Sequence, residues 1–208
     1  MFGRNWRSTY EERVFSGSDG YLKYARANGS FWSYGVSSAG GSVTYSRVVP
    51  ANGSDTIAIG SSTFTLVLQS GEKRIYDSVT GLLLSIIDRN GNTTQLTYDA
   101  SSRLITVTDP ASRHLYFTYV SPSSSLVSTV ASDVGISLSY AYDGQGRLTQ
   151  VTKPDNTTIS FQFDANSNIT AVLDTNGKIL EAHTYDAVGR GLTSSRANGV
   201  DAVTVTYP

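Results

Sequence analysis

Apolar and polar residues alternate in short, bounded stretches along the second half of the chain. Leu96 and Tyr98 share one face of an extended segment, and Gln95 and Thr97 the other. Ile136, Leu138, Tyr140 and Tyr142 alternate with Ser137, Ser139 and Ala141. Ile159, Phe161 and Phe163 alternate with Thr158, Ser160 and Gln162, and Val203, Val205 and Tyr207 with Thr204 and Thr206. Period two predicts strands with one apolar and one polar face. A second kind of segment lies between these. Leu104 with Val107, Leu148 with Val151, and Ile169 with Val172 are each three apart. Strict alternation puts such a pair on opposite faces. The segments are short and rich in Thr and Val, so strand plus β-bulge is preferred over a one-turn helix.

Turn residues punctuate the pattern. Asn28-Gly29, Asn52-Gly53, Asn90-Gly91, Asn176-Gly177 and Asn198-Gly199 each lie between apolar stretches. Both residue types tolerate positive φ, so these pairs predict tight hairpin turns. Asp109-Pro110 and Pro154-Asp155 mark further turns. The stretch 20–35 predicts a hairpin around Asn28-Gly29, and 56–68 two short strands. The Ser-rich stretch 121–135 reads as a longer loop.

A repeat organises the second half. An aromatic followed by Asp occurs at Tyr76-Asp77, Tyr98-Asp99, Tyr142-Asp143, Phe163-Asp164 and Tyr185-Asp186. Tyr119 and Tyr207 fall at the missing steps, so an aromatic returns about every 22 residues, seven times. Each unit reads as strand, turn, strand, turn. The chain divides into an opening β region, 1–75, and the repeats, 76–208, with an all-β antiparallel fold. The aromatics are expected to stack as a ladder along neighbouring strands, joining unit to unit as in nearest-neighbour arrays.

Composition narrows the function. The 208 residues carry 16 basic and 17 acidic side chains, a net charge of -1, which gives no electrostatic footprint for nucleic acid. Cysteine is absent, which removes disulfides, thiolate metal sites and cysteine nucleophiles. With 13 Tyr, 7 Phe and many β-branched residues, disorder is not expected. The longest apolar run, Leu82 to Ile87, is far short of the roughly 20 residues of a spanning helix. The first 15 residues mix charges with apolar side chains and present no secretory signal, so export would use a route this sequence does not encode.

The aromatic-Asp pairs, the Gly-Arg of YDGQGRL and YDAVGRG, and the DP and NG turns together resemble the YD-repeat, or Rhs (rearrangement hotspot), family. FGRNWRSTYEERVF is similar to the stretch that opens the repeat region there, and residues 70–104 to its first repeats. The resemblance implies a spiralling β-sheet that forms part of a hollow shell around a toxin or effector domain, or a surface-displayed protein. It implies the remainder of such a shell, or a cargo toxin, as partner, and secretion or surface exposure. The chain is far shorter than such a shell and lacks the DPxGLxGG-like segment that ends it.

Reactive chemistry is weakly represented. His114 and His183 lie about three units apart and read as ordinary surface or half-buried histidines. Asp88, Asn90 and Asn92, with Asp99 twelfth, echo a calcium loop, but Gly91 falls fourth where that loop needs glycine sixth. The repeated Asp77, Asp99, Asp143, Asp164 and Asp186 suggest turn-capping acceptors, because catalytic carboxylate pairs are single constellations and turns recur. The expectation is a structural protein without catalysis, metal or cofactor. Two readings compete. Exposed tyrosines in a groove would make a carbohydrate-binding or adhesion module. A convergent pair of these aspartates about 5 to 9 Å apart would make a glycosidase. The last strand, near Val203 to Tyr207, is expected to be an apolar open edge that drives self-association.

Overall fold

The computed structural model describes residues 1–39 and 42–208. Its regular elements are nineteen strands and one 3-10 turn at Ala197–Gly199 among the described residues. Every strand pairing described is antiparallel. The all-β antiparallel architecture is the one the alternation predicts. The chain forms two compact units, one of residues 1 and 7–117, the other of residues 2–6 and 118–208.

The first unit contains β1 (Arg13–Ser16), β2 (Leu22–Ala25), β3 (Phe31–Ala39), β4 (Ser42–Val49), β5 (Thr56–Ile59), β6 (Thr63–Val67), β7 (Lys73–Asp77), β8 (Leu83–Ile87), β9 (Thr93–Tyr98), β10 (Leu104–Thr108) and most of β11 (His114–Tyr119). Its sheet rolls back on itself. Arg13 of β1 makes an antiparallel bridge to Leu82, and the Val14 amide donates to the Gly81 carbonyl at 3.2 Å. The roll encloses Val14, Leu22, Tyr24, Tyr34, Ile57, Leu66, Tyr76 and Leu83, each at most 3% exposed. Fully burying one such side chain is worth about 1.5–3 kcal/mol, so this cluster is the main apolar core of the unit.

The second unit contains β12 (Val127–Ser132), β13 (Ser137–Tyr142), β14 (Leu148–Thr152), β15 (Thr158–Phe163), β16 (Ile169–Leu173), β17 (Ile179–Tyr185), β18 (Gly191–Arg196) and β19 (Val203–Thr204). Its buried apolar side chains among the described residues are Val127, Val130, Leu148 and Ala171. The rest of its apolar face is half-covered.

The bulges are present. Register shifts between Leu104 and Thr106 against β9, between Leu148 and Gln150 against β13, and between Ile169 and Ala171 against β15. One residue is therefore extra in each case. Leu104 and Val107, at 2% and 3% exposure, consequently share the buried side although three apart.

Two expectations fail here. Within the Ser-rich stretch 121–135, Val127–Ser132 is strand β12, whose Val127 and Val130 repeat the three-residue spacing. Its serines hid a period that the apolar residues carry. The Asn-Gly pairs at 28–29, 90–91 and 176–177 do lie in tight hairpin turns, each with the glycine alone at positive φ, but the pair at 52–53 does not. In the loop 88–92 the Asp88 amide donates to Asn92, the Gly91 amide to Asp88, and of Asn90 and Gly91 only Gly91 has positive φ. That is the three-residue hairpin loop, a turn followed by one left-handed residue. Asn52-Gly53 lies in a longer connection, where a Cβ on Gly53 would fall on the Arg47 guanidinium.

Candidate functional site

The aspartates that end the aromatic strands share one geometry. Asp99 Oδ1 accepts the amides of Ser101 and Arg103 at 2.9 Å each, and Oδ2 accepts Arg103 Nε at 2.7 Å. Asp143 does the same with Gln145 and Arg147, and Asp186 with Val188 and Arg190. Asp164 uses Asn166 and Asn168, the latter through both its amide and its side chain. Asp77 is a variant that collects the amides of Val79 and Thr80 and the Thr80 hydroxyl. Asp109, in the alternate turn, repeats the pattern with Ala111 and Arg113.

These bonds stabilise the ionised carboxylate. The Arg103 amide, then its side chain, holds Asp99 below the ordinary carboxylate range, and the Arg147 amide does the same for Asp143. The Asn168 side chain leads for Asp164, and the Arg190 amide for Asp186. A general acid needs the opposite, a raised pKa. Asp88, the first residue of the calcium-like loop, spends Oδ1 on the amides of Asn90 and Asn92 and Oδ2 on the Asn92 side chain.

The tyrosine hydroxyls have a common destination that the sequence does not announce. Tyr98 donates to the Leu83 carbonyl at 2.8 Å, Tyr142 to Val127 at 2.8 Å, Tyr185 to Ile169 at 2.9 Å and Tyr207 to Gly191 at 3.0 Å. Each acceptor is the first residue of the strand that opens the same hairpin. Tyr98, Tyr119, Tyr142, Phe163 and Tyr185 are half-buried, Tyr76 is fully buried, and Tyr207 is exposed.

The ring ladder is corrected over its last three positions. Phe163, Tyr185 and Tyr207 do not stack on one another. One aromatic is supplied per two strands, so successive rings lie about 10 Å apart at the usual strand spacing, beyond ring-to-ring contact. A guanidinium fills the gap in two places. Arg147 lies 4.9 Å over the Phe163 ring, and Arg190 4.3 Å over the Tyr207 ring. The arginine that clamps one turn's Asp therefore also covers the next unit's aromatic.

Other side chains were not foreseen. Inside the first unit's roll, Glu12 is 6% exposed and accepts from Tyr24 at 2.7 Å, from Tyr76 at 3.3 Å and from Arg74. Arg47 pairs with buried Asp55 at 2.8 Å, and Arg26 and Arg47 each lie 4.2 Å from the Trp32 ring. In a chain with 16% charged residues, charges beside apolar stretches were the available signal. The first residues carry another device. Tyr10 meets Phe117 edge-on at 6.5 Å in the first unit, while Phe2 packs on Tyr140 at 4.7 Å and Trp6 on Phe161 at 4.9 Å in the second. His114 stacks on Tyr116, and His183 stands 3.6 Å from Glu181. No group of three or more metal-ligating side chains occurs among the described residues.

The RHS Repeat family model matches residues 76–114, 126–158 and 142–179. The chain carries RHS repeats. The matched segments hold the clamped turns of Asp77, Asp99, Asp109, Asp143 and Asp164 and two of the four tyrosine-to-carbonyl bonds, Tyr98 to Leu83 and Tyr142 to Val127. No curated protein matches the chain. Among solved structures it is similar to TcdB2-TccC3-Cdc42, at 14% identity over 93% of this chain and 12% of that one, with a TM-score of 0.49. A Photorhabdus luminescens Tc holotoxin pore is similar at 12% identity over 92% and 15%, with a TM-score of 0.38. A porin-like protein from Bacteroides uniformis is similar at 9% identity over 89% and 94%, with a TM-score of 0.38. The RHS-repeat chain thus spans a small part of the length of the toxin chains it resembles.

Proposed function

We propose that this RHS-repeat chain is a length of β-sheet wall, part of a shell that encloses a toxin or effector segment, and that it performs no catalysis. The observation that carries this is the use of the repeated polar groups. Four tyrosine hydroxyls are spent on strand-opening carbonyls, and the repeated aspartates on their own turns. A motif whose polar atoms serve the sheet is suited to holding a surface closed. The division into an opening region, 1–75, and repeats from 76 is part of the proposal, supported by the first family match starting at Tyr76. So are the aromatic-Asp positions as the repeat's structural motif, and secretion or surface display.

The mechanism is physical. A hydrogen-bonded sheet offers proteases no extended backbone and keeps a cargo from the cell that makes it. The test is limited proteolysis of the polypeptide as the producing cell makes it. The repeats and one enclosed segment should resist cleavage together, and that segment should be cut once mild acid opens the wall. Cleavage throughout at the rate of the unfolded chain overturns the proposal. The carbohydrate-binding reading loses support, because Tyr98, Tyr142 and Tyr185 are half-covered with their hydroxyls committed. Saturable glycan binding abolished by Tyr142→Phe would restore it.

A further inference from the structure

The second unit is completed by a segment from far away in sequence. Residues 2–6 belong to it, while Met1 and residues 7–117 belong to the other unit. Their seat is the apolar face of β13 to β15. Tyr140 faces Val151 across β14, Val151 faces Ile159 across β15, and Phe161 is the next residue on that face. Phe2 covers Tyr140 and Trp6 covers Phe161, with ring centroids 4.7 and 4.9 Å apart. The four-residue step between Phe2 and Trp6 thus spans the step between two strands' aromatics.

The backbone comes close as well. Gly3 has φ +90°, and a Cβ there would stand 2.6 Å from the Gly146 carbonyl and 3.3 Å from the Tyr142 ring. Only glycine fits without displacing backbone. The groove therefore reads an aromatic, a glycine and a second aromatic four residues after the first.

What holds residues 2–6 against the sheet is packing. The hydrogen bond made by residues 2–6 is internal, from the Trp6 amide to the Gly3 carbonyl at 3.3 Å. No hydrogen bond ties them to the sheet among the described residues. Arg4, Asn5 and Arg7 are exposed. The segment is flanked by exposed Arg7 and by Met1, whose ammonium pairs with Glu11, so its release breaks that ion pair and two ring contacts but no strand pairing.

We propose that residues 2–6 are an exchangeable ligand of the repeat sheet, and that the groove of Tyr140, Val151, Ile159 and Phe161 accepts the same segment from a second copy of the chain. The second copy is the occupant because its segment already fits the groove in rings and glycine. Exchange of an identical element between protomers also adds no new interface chemistry.

The test uses two full-length chains. Phe2→Ala with Trp6→Ala leaves a groove without its ligand. Tyr140→Ala with Phe161→Ala leaves a ligand without its groove. Both also carry Val203→Lys to silence the exposed edge. Mixed, they should form a 1:1 heterodimer in sedimentation velocity, while each alone stays monomeric. A labelled peptide of residues 1–7 should bind the first chain at least tenfold more tightly than wild type, where the tethered segment competes. The Tyr140 hydroxyl, whose pKa burial raises, should titrate at lower pH in the first chain and recover with peptide.

A mixture that sediments as the sum of its parts, with both chains folded by circular dichroism, overturns the proposal. Equal peptide binding to both variants does so too. Should either double variant unfold, photo-crosslinking of the peptide to wild type decides. Crosslinks at Tyr140 or Phe161 support the proposal, and their absence at saturating peptide overturns it.

Discussion

Phe163 stands where its counterparts in the flanking units are tyrosines. Those tyrosines reach back 15 or 16 residues to the carbonyl of a strand-opening residue, and the matching carbonyl for Phe163 belongs to Leu148. Its ring is already placed, under the Arg147 guanidinium. Phe163→Tyr should therefore add one neutral hydrogen bond and stabilise the chain by about 0.5–1.5 kcal/mol in urea unfolding, and Tyr142→Phe should lose a similar amount. A fall in stability for Phe163→Tyr would mean that position 163 is set differently from 142 and 185. The aromatic spacing was legible in the sequence, because it needs only counting. The hydroxyl's destination was not, since it depends on which carbonyl the neighbouring strand brings opposite the ring. The guanidinium between rings was missed for a related reason. Counting residues does not reveal which side chain fills the gap between rings two strands apart.

At the scale of the hairpin, turn and strand pair depend on one carboxylate. The Asp oxygen fixes two amides of the loop, and the residue four places on supplies a side-chain donor, arginine at 103, 147 and 190. Turn positions could be read from Gly, Asn and Asp, but the turn type could not. The preference of Asn-Gly for two-residue turns lost to the aspartate, whose bonds to residues two and four onward require the longer loop. The bulges were legible, because two apolar residues three apart in a strand admit few other solutions. Strand β12 was overlooked where serine masked the same spacing.

The carboxylates also fix a pH dependence. Folded pKa values below the unfolded value of about 3.9 mean that the unfolded chain binds more protons as the solution is acidified. The contribution of Asp99, Asp109, Asp143, Asp164 and Asp186 is thus present above that value and lost as pH falls through the folded pKa. Thermal unfolding followed by circular dichroism should give a midpoint that these groups leave unchanged between about pH 5 and 7 and lower below about pH 4. Asp143→Asn should lower the midpoint at neutral pH and make the acid drop shallower. An acid profile identical to wild type would show that the Asp143 clamp contributes nothing.

Taken whole, the molecule spends its apolar residues unevenly. The first unit rolls its sheet around a sealed cluster, which requires the long return from β1 to Leu82, a contact no local pattern encodes. The second unit leaves its face half-covered and ends on β19, which pairs with β18. Val203 is 56% exposed, Val205 42% and Tyr207 41%, on the alternation that elsewhere points toward apolar neighbours. A strand with apolar residues and unpaired backbone groups on one side is a template for another strand. The alternation of residues 203–207 made this legible in the sequence. Wild type should therefore self-associate reversibly at tens of micromolar in sedimentation velocity. Val203→Lys with Val205→Lys should abolish that association, because a lysine on the edge face must be desolvated for a second strand to dock. The same substitutions should leave the thermal midpoint nearly unchanged, since nothing in the fold is buried behind β19. Wild type that stays monodisperse across that range would show the edge to be closed by its own terminal residues.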